Sequence, residues 1–297
     1  MAESISIIGV PMDFGQMLRG VDMGPAALRY TGLIPRLRRL GHDVKDEGDI
    51  PIPVRDDPAM EGMTDHYVKE ITRISHDVYK IGCRVMDQGR MPVFLGGDHA
   101  IAIGSVASVA VKEPVGLIWV DAHADFNTPR TSPSGNIHGM PLAVLTGAGY
   151  PCLVDAGHPG TKISLDNVVM IGQRDLDPGE KKRIKSSGIT IFTMRDIDEQ
   201  GISAIAAQIM VQFACLKRFH LSLDMDALDP IEAPGVGTPV PGGISYREAH
   251  LLMELFADSG KLGSMDLVEI NPILDVANKT SKLAVELILS ALGKSIL

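Results

Sequence analysis

Short β-branched runs alternate with longer amphipathic stretches along the whole chain, and that alternation restricts it to folds assembled from βαβ units around a parallel sheet. Eight runs have strand character, near residues 4–10, 42–47, 91–95, 115–120, 167–171, 189–193, 219–223 and 264–269. The middle ones are nearly continuous in apolar residues, as strands covered on both faces must be. After the second run, Tyr67, Ile71, Ile74, Val78, Ile81 and Val85 recur at spacings of three and four, the stripe of a helix lying on a sheet. Similar stripes cross residues 203–216, 246–256 and 281–292, and Gly/Pro-rich loops separate them at 128–135 and 233–243. With no internal repeat, linker or low-complexity tract, residues 1–297 are expected to form one α/β domain.

A net charge of −9 argues against nucleic acid as a partner, because the cationic excess that displaces counterions from phosphate is missing; a small cationic substrate suits that sign better. Cys83, Cys152 and Cys215 are far apart and lack CxxC spacing, so neither a disulfide framework nor a thiolate metal site is indicated. The N-terminal run has no basic leader, and no stretch is apolar for the roughly 20 residues of a membrane helix. A soluble, unprocessed, cytoplasmic protein that does not engage membranes is expected.

Chemistry concentrates where three strands end. Val115-Gly-Leu-Ile-Trp-Val-Asp-Ala-His-Ala-Asp125 closes an apolar strand with Asp121, His123 and Asp125 at alternate positions, which share a face if the backbone stays extended. Arg218-Phe-His-Leu-Ser-Leu-Asp-Met-Asp226 ends in Asp224 and Asp226 in the same way, and Pro92-Val-Phe-Leu-Gly-Gly-Asp-His99 ends in two glycines and a histidine. Each segment alone also reads as an ordinary acidic turn or a packed histidine. Three strand ends offering one ligand chemistry, at the edge where open α/β sheets bind their ligands, point to a metal cluster.

Four carboxylates and two imidazoles without a thiolate form a hard donor set that suits two manganese ions better than one zinc. A water acidified by such a pair is the expected nucleophile. The remaining histidines read as structural: His66 and His76 on a helix, His220 within a strand, and His42, His158 and His250 without neighbouring ligands. Asp98 and Asp229 read as residues that orient others or cap turns.

The motifs Gly96-Gly-Asp-His99, Asp121-Ala-His-Ala-Asp-Phe-Asn-Thr-Pro129, Ser134-Gly-Asn-Ile-His-Gly-Met-Pro141, Ser222-Leu-Asp-Met-Asp-Ala-Leu-Asp-Pro230, Gly235-Val-Gly-Thr-Pro239 and Val268-Glu-Ile-Asn-Pro272 occur in that order. With Arg19-Gly-Val-Asp-Met-Gly-Pro25 near the start, the chain resembles the arginase family of ureohydrolases over essentially its whole length. The resemblance implies a three-layer α/β/α arginase-like fold with an eight-stranded parallel sheet, and two Mn2+ ions per subunit. One ion would be held by His99, Asp121, Asp125 and Asp224, the other by His123, Asp121, Asp224 and Asp226, with Asp121 and Asp224 bridging.

It further implies hydrolysis of L-arginine to L-ornithine and urea. Asp125 would carry a proton toward the leaving amine, His138 would act as proton shuttle, and Glu269 would pair with the guanidinium. Asn127, Ser132 and Ser134 match positions that hold the α-carboxylate, Asp177 and Glu180 those near the α-amino group, and Thr238 borders the pocket. Agmatinase or another guanidino or formimino hydrolase is the nearest alternative, and a metal-binding protein without turnover a more distant one. Trimers or hexamers are usual in the family; ending at Leu297, without the extended tail of some relatives, this chain is expected to associate through other surfaces. Ala100, where serine commonly follows the histidine, and Met17-Leu18, where a more polar pair is usual, depart from the pattern without removing a ligand.

Overall fold

A computed structural model describes residues 2–53, 55 and 67–295; His66 lies outside them. Strands β1 (Ser4–Val10), β2 (Asp43–Asp49), β3 (Met91–Gly96), β4 (Gly116–Val120), β5 (Val168–Gln173), β6 (Thr190–Thr193), β7 (Phe219–Asp224) and β8 (Leu262–Val268) form a sheet of order β2-β1-β3-β8-β7-β4-β5-β6. All its strand pairings are parallel. All eight expected strands are present, with ends shifted by a few residues; the last stops at Val268, one residue short of Glu269.

Alternation along the strands divides the core. Ile5, Ile7, Val93, Leu95, Leu221, Leu223, Met265 and Leu267 pack on one face against the helices Gly24–Tyr30, Leu33–Arg39, Ile202–Gln212, Tyr246–Asp258 and Lys279–Ala291. Ile8, Val10 and Phe94 face the other side, under the helix Val68–Asp87, while Leu117, Trp119, Val168 and Met170 pack there with Val106 and Val109 of the helix Ala102–Ala110. The result is three layers. Tyr67, taken as the first residue of the helical stripe, instead precedes the helix at φ 56°.

The helix Ala102–Ala110 carries no polar face, because it lies between the sheet and the helix Val68–Asp87 and all its residues but the last are buried. Small side chains let it approach: a Cβ on Gly104 would stand 2.6 Å from the Ser75 carbonyl oxygen, and one on Gly82 2.2 Å from Ser108 Oγ. A helix buried on all sides has no amphipathic stripe to announce it.

Four central strands, β3, β8, β7 and β4, end at one edge and deliver His99, Glu269, Asp224 and Asp121 to it. Gly97 fixes how closely the loop after β1 approaches: its N–H donates to the Val10 carbonyl (3.1 Å), and Asp98 N–H donates to that of Met12 (2.8 Å). A Cβ on Gly97 would lie 2.0 Å from the Met12 carbonyl oxygen. Gly97→Ala is therefore expected to lower stability by about 3 kcal/mol or more, a size that follows from forced backbone displacement in a core. Urea unfolding checks this; an unchanged midpoint would show that the loop yields freely.

Candidate metal centre and substrate pocket

The ligand loops are turns rather than extensions of their strands, which corrects the alternation argument. β4 ends at Val120, Asp121 Oδ1 accepts the N–H of His123 (2.7 Å), and Asp125 takes a left-handed conformation with φ 49°. After β7, Asp224 Oδ1 accepts the N–H of Asp226 (2.7 Å) and opens the 3-10 turn Met225–Ala227. The same device acts twice: a strand-terminal Asp folds the next two residues back, so that two side chains converge where a strand would have projected them in line. On β3, Asp98 caps the 3-10 turn His99–Ile101 by accepting from Ala100 N–H (3.0 Å), which turns His99 inward.

Two groups able to hold a metal result, His99/Asp121/Asp125 and Asp121/His123/Asp226, and they share Asp121. Asp224 joins the first through Oδ2, 3.1 Å from His99 Nδ1. Asp121 Oδ2 and Asp125 Oδ2 stand 3.2 and 3.1 Å from that same nitrogen. His123 Nδ1 lies 3.0 Å from Asp226 Oδ2 and 3.5 Å from Asp121 Oδ1.

The protonation of His99 tests whether a cation fits. Ser222 Oγ donates to Asp266 Oδ1 (2.5 Å), which commits its only proton, so His99 Nε2–H donates to Ser222 Oγ (2.8 Å). A neutral His99 thus turns the lone pair of Nδ1 toward three carboxylate oxygens. Nδ1 is buried and makes no hydrogen bond. Lone pairs so converging in a dry site repel one another unless a positive ion lies among them. Without a metal the imidazoles must supply that charge: burial opposes it, yet the surrounding acids push His99 and His123 well above their ordinary range. Burial, reinforced by the charges of Asp226 and Asp121, pushes Asp224 well up. The donor set and its burial fit divalent cations.

A buried polar column supports the ligands. His220, Ser222 and Asp224 share one face of β7, and the neighbouring β8 places Ser264 beside His220 and Asp266 beside Ser222. Fully buried Asp266 accepts from Ser222, from Ser105 Oγ (2.5 Å) and from His220 Nε2 (2.9 Å), while His220 Nδ1 meets Ser264 Oγ (2.8 Å). Trp119 stacks on His99 with ring centroids 4.0 Å apart and donates Nε1–H to Asp121 Oδ2 (2.9 Å). His220 is no ligand, as expected, yet it belongs to the scaffold of one. Its spacing from Ser222 and Asp224 was the signal available in the sequence; Asp266 and Trp119 gave none without the register.

A cavity of about 310 Å3 opens over the cluster. His123, Asp125, Asp224 and Asp226 form its floor, and Asn127, Ser132, Ser134, His138, Asp177, Glu180 and Thr238 line it, joined by Asn136 and Asp175, which sequence reasoning did not single out. Thr238 Oγ1 donates to Asp226 Oδ2 (3.0 Å) and Asn127 Nδ2 to Asp177 Oδ2 (2.8 Å), leaving Asn127 Oδ1 buried without a partner. Glu180 accepts from Phe126 N–H (2.8 Å) and Asp177 N–H (3.3 Å); burial, aided by the charge of Asp125, pushes it up to about 7. The lining residues include no Lys or Arg.

Glu269 is not among those lining residues. It lies behind His138, 1% exposed and left-handed at φ 64°, and its Oε1 accepts from His138 Nδ1 (3.0 Å) and from the His99 N–H (3.0 Å). Burial opposes a charged His138, but the bond to Glu269 and its charge outweigh this and push the imidazole up to about 9. Ala100 is buried, whereas Met17 and Leu18 are exposed on the loop after β1. Three of the other histidines have structural partners: His76 Nδ1 accepts from Gly157 N–H, His42 spans Glu3 N–H and the Leu292 carbonyl, and His250 Nδ1 meets Ser290. Asp229 caps a turn by accepting from Ile231, Gly242 and Gly243 N–H groups. The three cysteines are free.

An all-parallel α/β sheet with a carboxylate–imidazole metal cluster at the carboxyl ends of its central strands defines a metal-dependent hydrolase class. The family model described as the arginase family matches residues 3–293. Arginase of Bacillus subtilis (strain 168) is 49% identical over 301 residues, with all of both chains covered. The native structure of Bacillus caldovelox arginase superposes with a TM-score of 0.96 at 48% identity, covering 99% of this chain and all of that one. Entamoeba histolytica arginase, solved in complex with L-ornithine, gives 0.90 at 33% identity with 99% of each chain covered. The chain belongs to the arginase family. Ser222→Ala removes the acceptor that orients His99 and is expected to weaken divalent-metal binding about 10- to 100-fold while leaving the fold intact. Calorimetric metal titration checks this, and unchanged affinity would remove Ser222 from the account.

Proposed function

We propose that this chain hydrolyses the guanidinium group of L-arginine, releasing L-ornithine and urea, with two manganese ions held by His99, Asp121, Asp125 and Asp224 and by His123, Asp121, Asp224 and Asp226. Asp121 and Asp224 would serve both ions. The observation that carries the reading is the sharing of Asp121 by two ligand groups on the floor of a cavity whose walls hold acids and neutral donors. Oxygen-rich ligands favour manganese over softer ions. Two such cations lend Lewis acidity that makes water a competent nucleophile near neutral pH.

The protein's own groups do the rest. Asp177 and Glu180 attract the α-ammonium group, and Asn127, Ser132 and Ser134 hold the α-carboxylate through neutral hydrogen bonds. Thr238 keeps Asp226 in place. His138 donates its Nδ1–H to Glu269 and turns Nε2 to the cavity, where it exchanges protons with the leaving amine; Asp125 passes a proton in the same direction. Glu269 serves the guanidinium through His138 rather than from the cavity wall. The ornithine complex of the Entamoeba relative supports this choice of product.

The activity is assigned to a single domain, residues 1–297, acting in the cytoplasm as a trimer or hexamer. Free thiols suit that compartment, and the exposed Tyr30, Val211, Ile231, Ile273 and Val276 offer apolar surface for assembly. None of the described helices is long and apolar enough to cross a membrane.

Manganese-loaded protein is expected to release urea from arginine and little from agmatine or guanidinobutyrate. Urea from agmatine alone would overturn the substrate assignment. Asp226→Ala is expected to lose most activity together with one metal equivalent, whereas His138→Asn keeps both metals and lowers kcat by about 100-fold or more, the usual weight of a proton-transfer group. Activity and metal content of the two variants test the roles directly, and unchanged turnover in both would mean that the cluster is not catalytic.

A further inference from the structure

We propose that Gln16 is a positioning residue for His138, holding Glu269 in the rotamer that receives the imidazole; this rests on the reading of His138 as the proton carrier. Gln16 is 3% exposed and does not line the cavity. Its Nε2 donates to Glu269 Oε2 at 2.7 Å, while the other oxygen of that carboxylate accepts from His138 Nδ1 and from the His99 N–H. Both oxygens are therefore tied, Oε1 by two donors and Oε2 by Gln16. Removing the amide leaves Oε2 a buried acceptor without a partner, and turning the carboxylate toward a new donor carries Oε1 away from His138.

Adjacent residues hold His138 a second time. The Gly15 carbonyl accepts the His138 N–H (3.0 Å), and the Gly15 N–H donates to Asp98 Oδ2 (2.7 Å). A Cβ on Gly15 would lie 2.7 Å from Asp98 Oδ1, so a side chain there would press on the carboxylate that holds this segment. Gly15 thus fixes the main chain of His138, and Gln16 fixes its ring through Glu269.

Gln16 has little freedom of its own. Its Oε1 lies 3.1 Å from the position a Cβ on Gly237 would occupy, next to Thr238, which bonds Asp226. The amide is lodged between Glu269 and the loop that carries Thr238. Glu269 needs such support because it leaves β8 in a left-handed conformation, anchored by its N–H to the Gly97 carbonyl (2.9 Å).

A double-mutant cycle tests this on the full-length, manganese-loaded protein. Gln16→Met keeps side-chain length and removes the donor; kcat is expected to fall about tenfold or more, since small misplacements of a reacting group are costly, with KM within about twofold and metal content unchanged. In the His138→Asn background the same substitution should cost nothing further. Should Gln16→Met fail to fold, Gln16→Asn, which is one methylene too short to reach Glu269, carries the same expectations. Full kcat in the single variant, an equal loss in both backgrounds, or loss of metal in place of kcat would each overturn the proposal. If His138→Asn itself turns over at the parent rate, the proton-carrier reading fails, and the role of Gln16 fails with it.

Discussion

The structure depends on concentrated negative charge at the carboxyl edge of its sheet. Asp121, Asp125, Asp224 and Asp226 are each less than a tenth exposed, and three of them direct an oxygen at one nitrogen of His99. Uncompensated, each buried carboxylate costs several kcal/mol, so the arrangement is a site that requires cations. Much of the surrounding architecture holds these acids in place around His99. The column from Ser222 through Asp266 to His220 sets the tautomer of His99, and Trp119 stacks against it. Strain gathers at the same edge: Asp125 and Glu269 are two of the five non-glycine residues with positive φ among the described residues.

From this centre the rest of the site divides by depth. The candidate metal ligands lie lowest, on turns that the strand-terminal Asp121 and Asp224 fold by accepting the N–H two residues on. The loop Asn127 to His138 stands above them, and the cavity it helps to line, with Asp175, Asp177 and Glu180 on its wall, has no lysine or arginine among its lining residues. A cationic guanidinium and an α-ammonium group suit such a lining, while a carboxylate must be met by hydroxyls and amides. Behind His138, Asp98, Glu269, Gly15 and Gln16 link the loop after β1 to the ends of β3 and β8, so the placement of His138 depends on segments distant in sequence.

Legibility in the sequence followed periodicity. The strands were readable because buried parallel strands are apolar runs, and the helix Val68–Asp87 because only one side of it meets the core. The helix Ala102–Ala110 was not, since burial on all sides erases the stripe. The six candidate ligands are legible as residue types at strand ends, whereas the tight turns that bring them together in place of an extended backbone are not. Glu269 is legible as a strand-end carboxylate, but its bonds to His138, His99 and Gln16 cross more than a hundred residues and are not. Ser222, Asp266 and Gln16 act through contacts 44 or more residues away in the chain, which no local pattern encodes.

The central claim is that the two groups sharing Asp121 hold two ions at once. Crystals grown with manganese, measured at the manganese absorption edge, would test it most directly. Two anomalous peaks about 3.5–4 Å apart are expected, one among His99, Asp121, Asp125 and Asp224 and the other among Asp121, His123, Asp224 and Asp226. A single peak at full manganese saturation, or peaks away from these side chains, would contradict it.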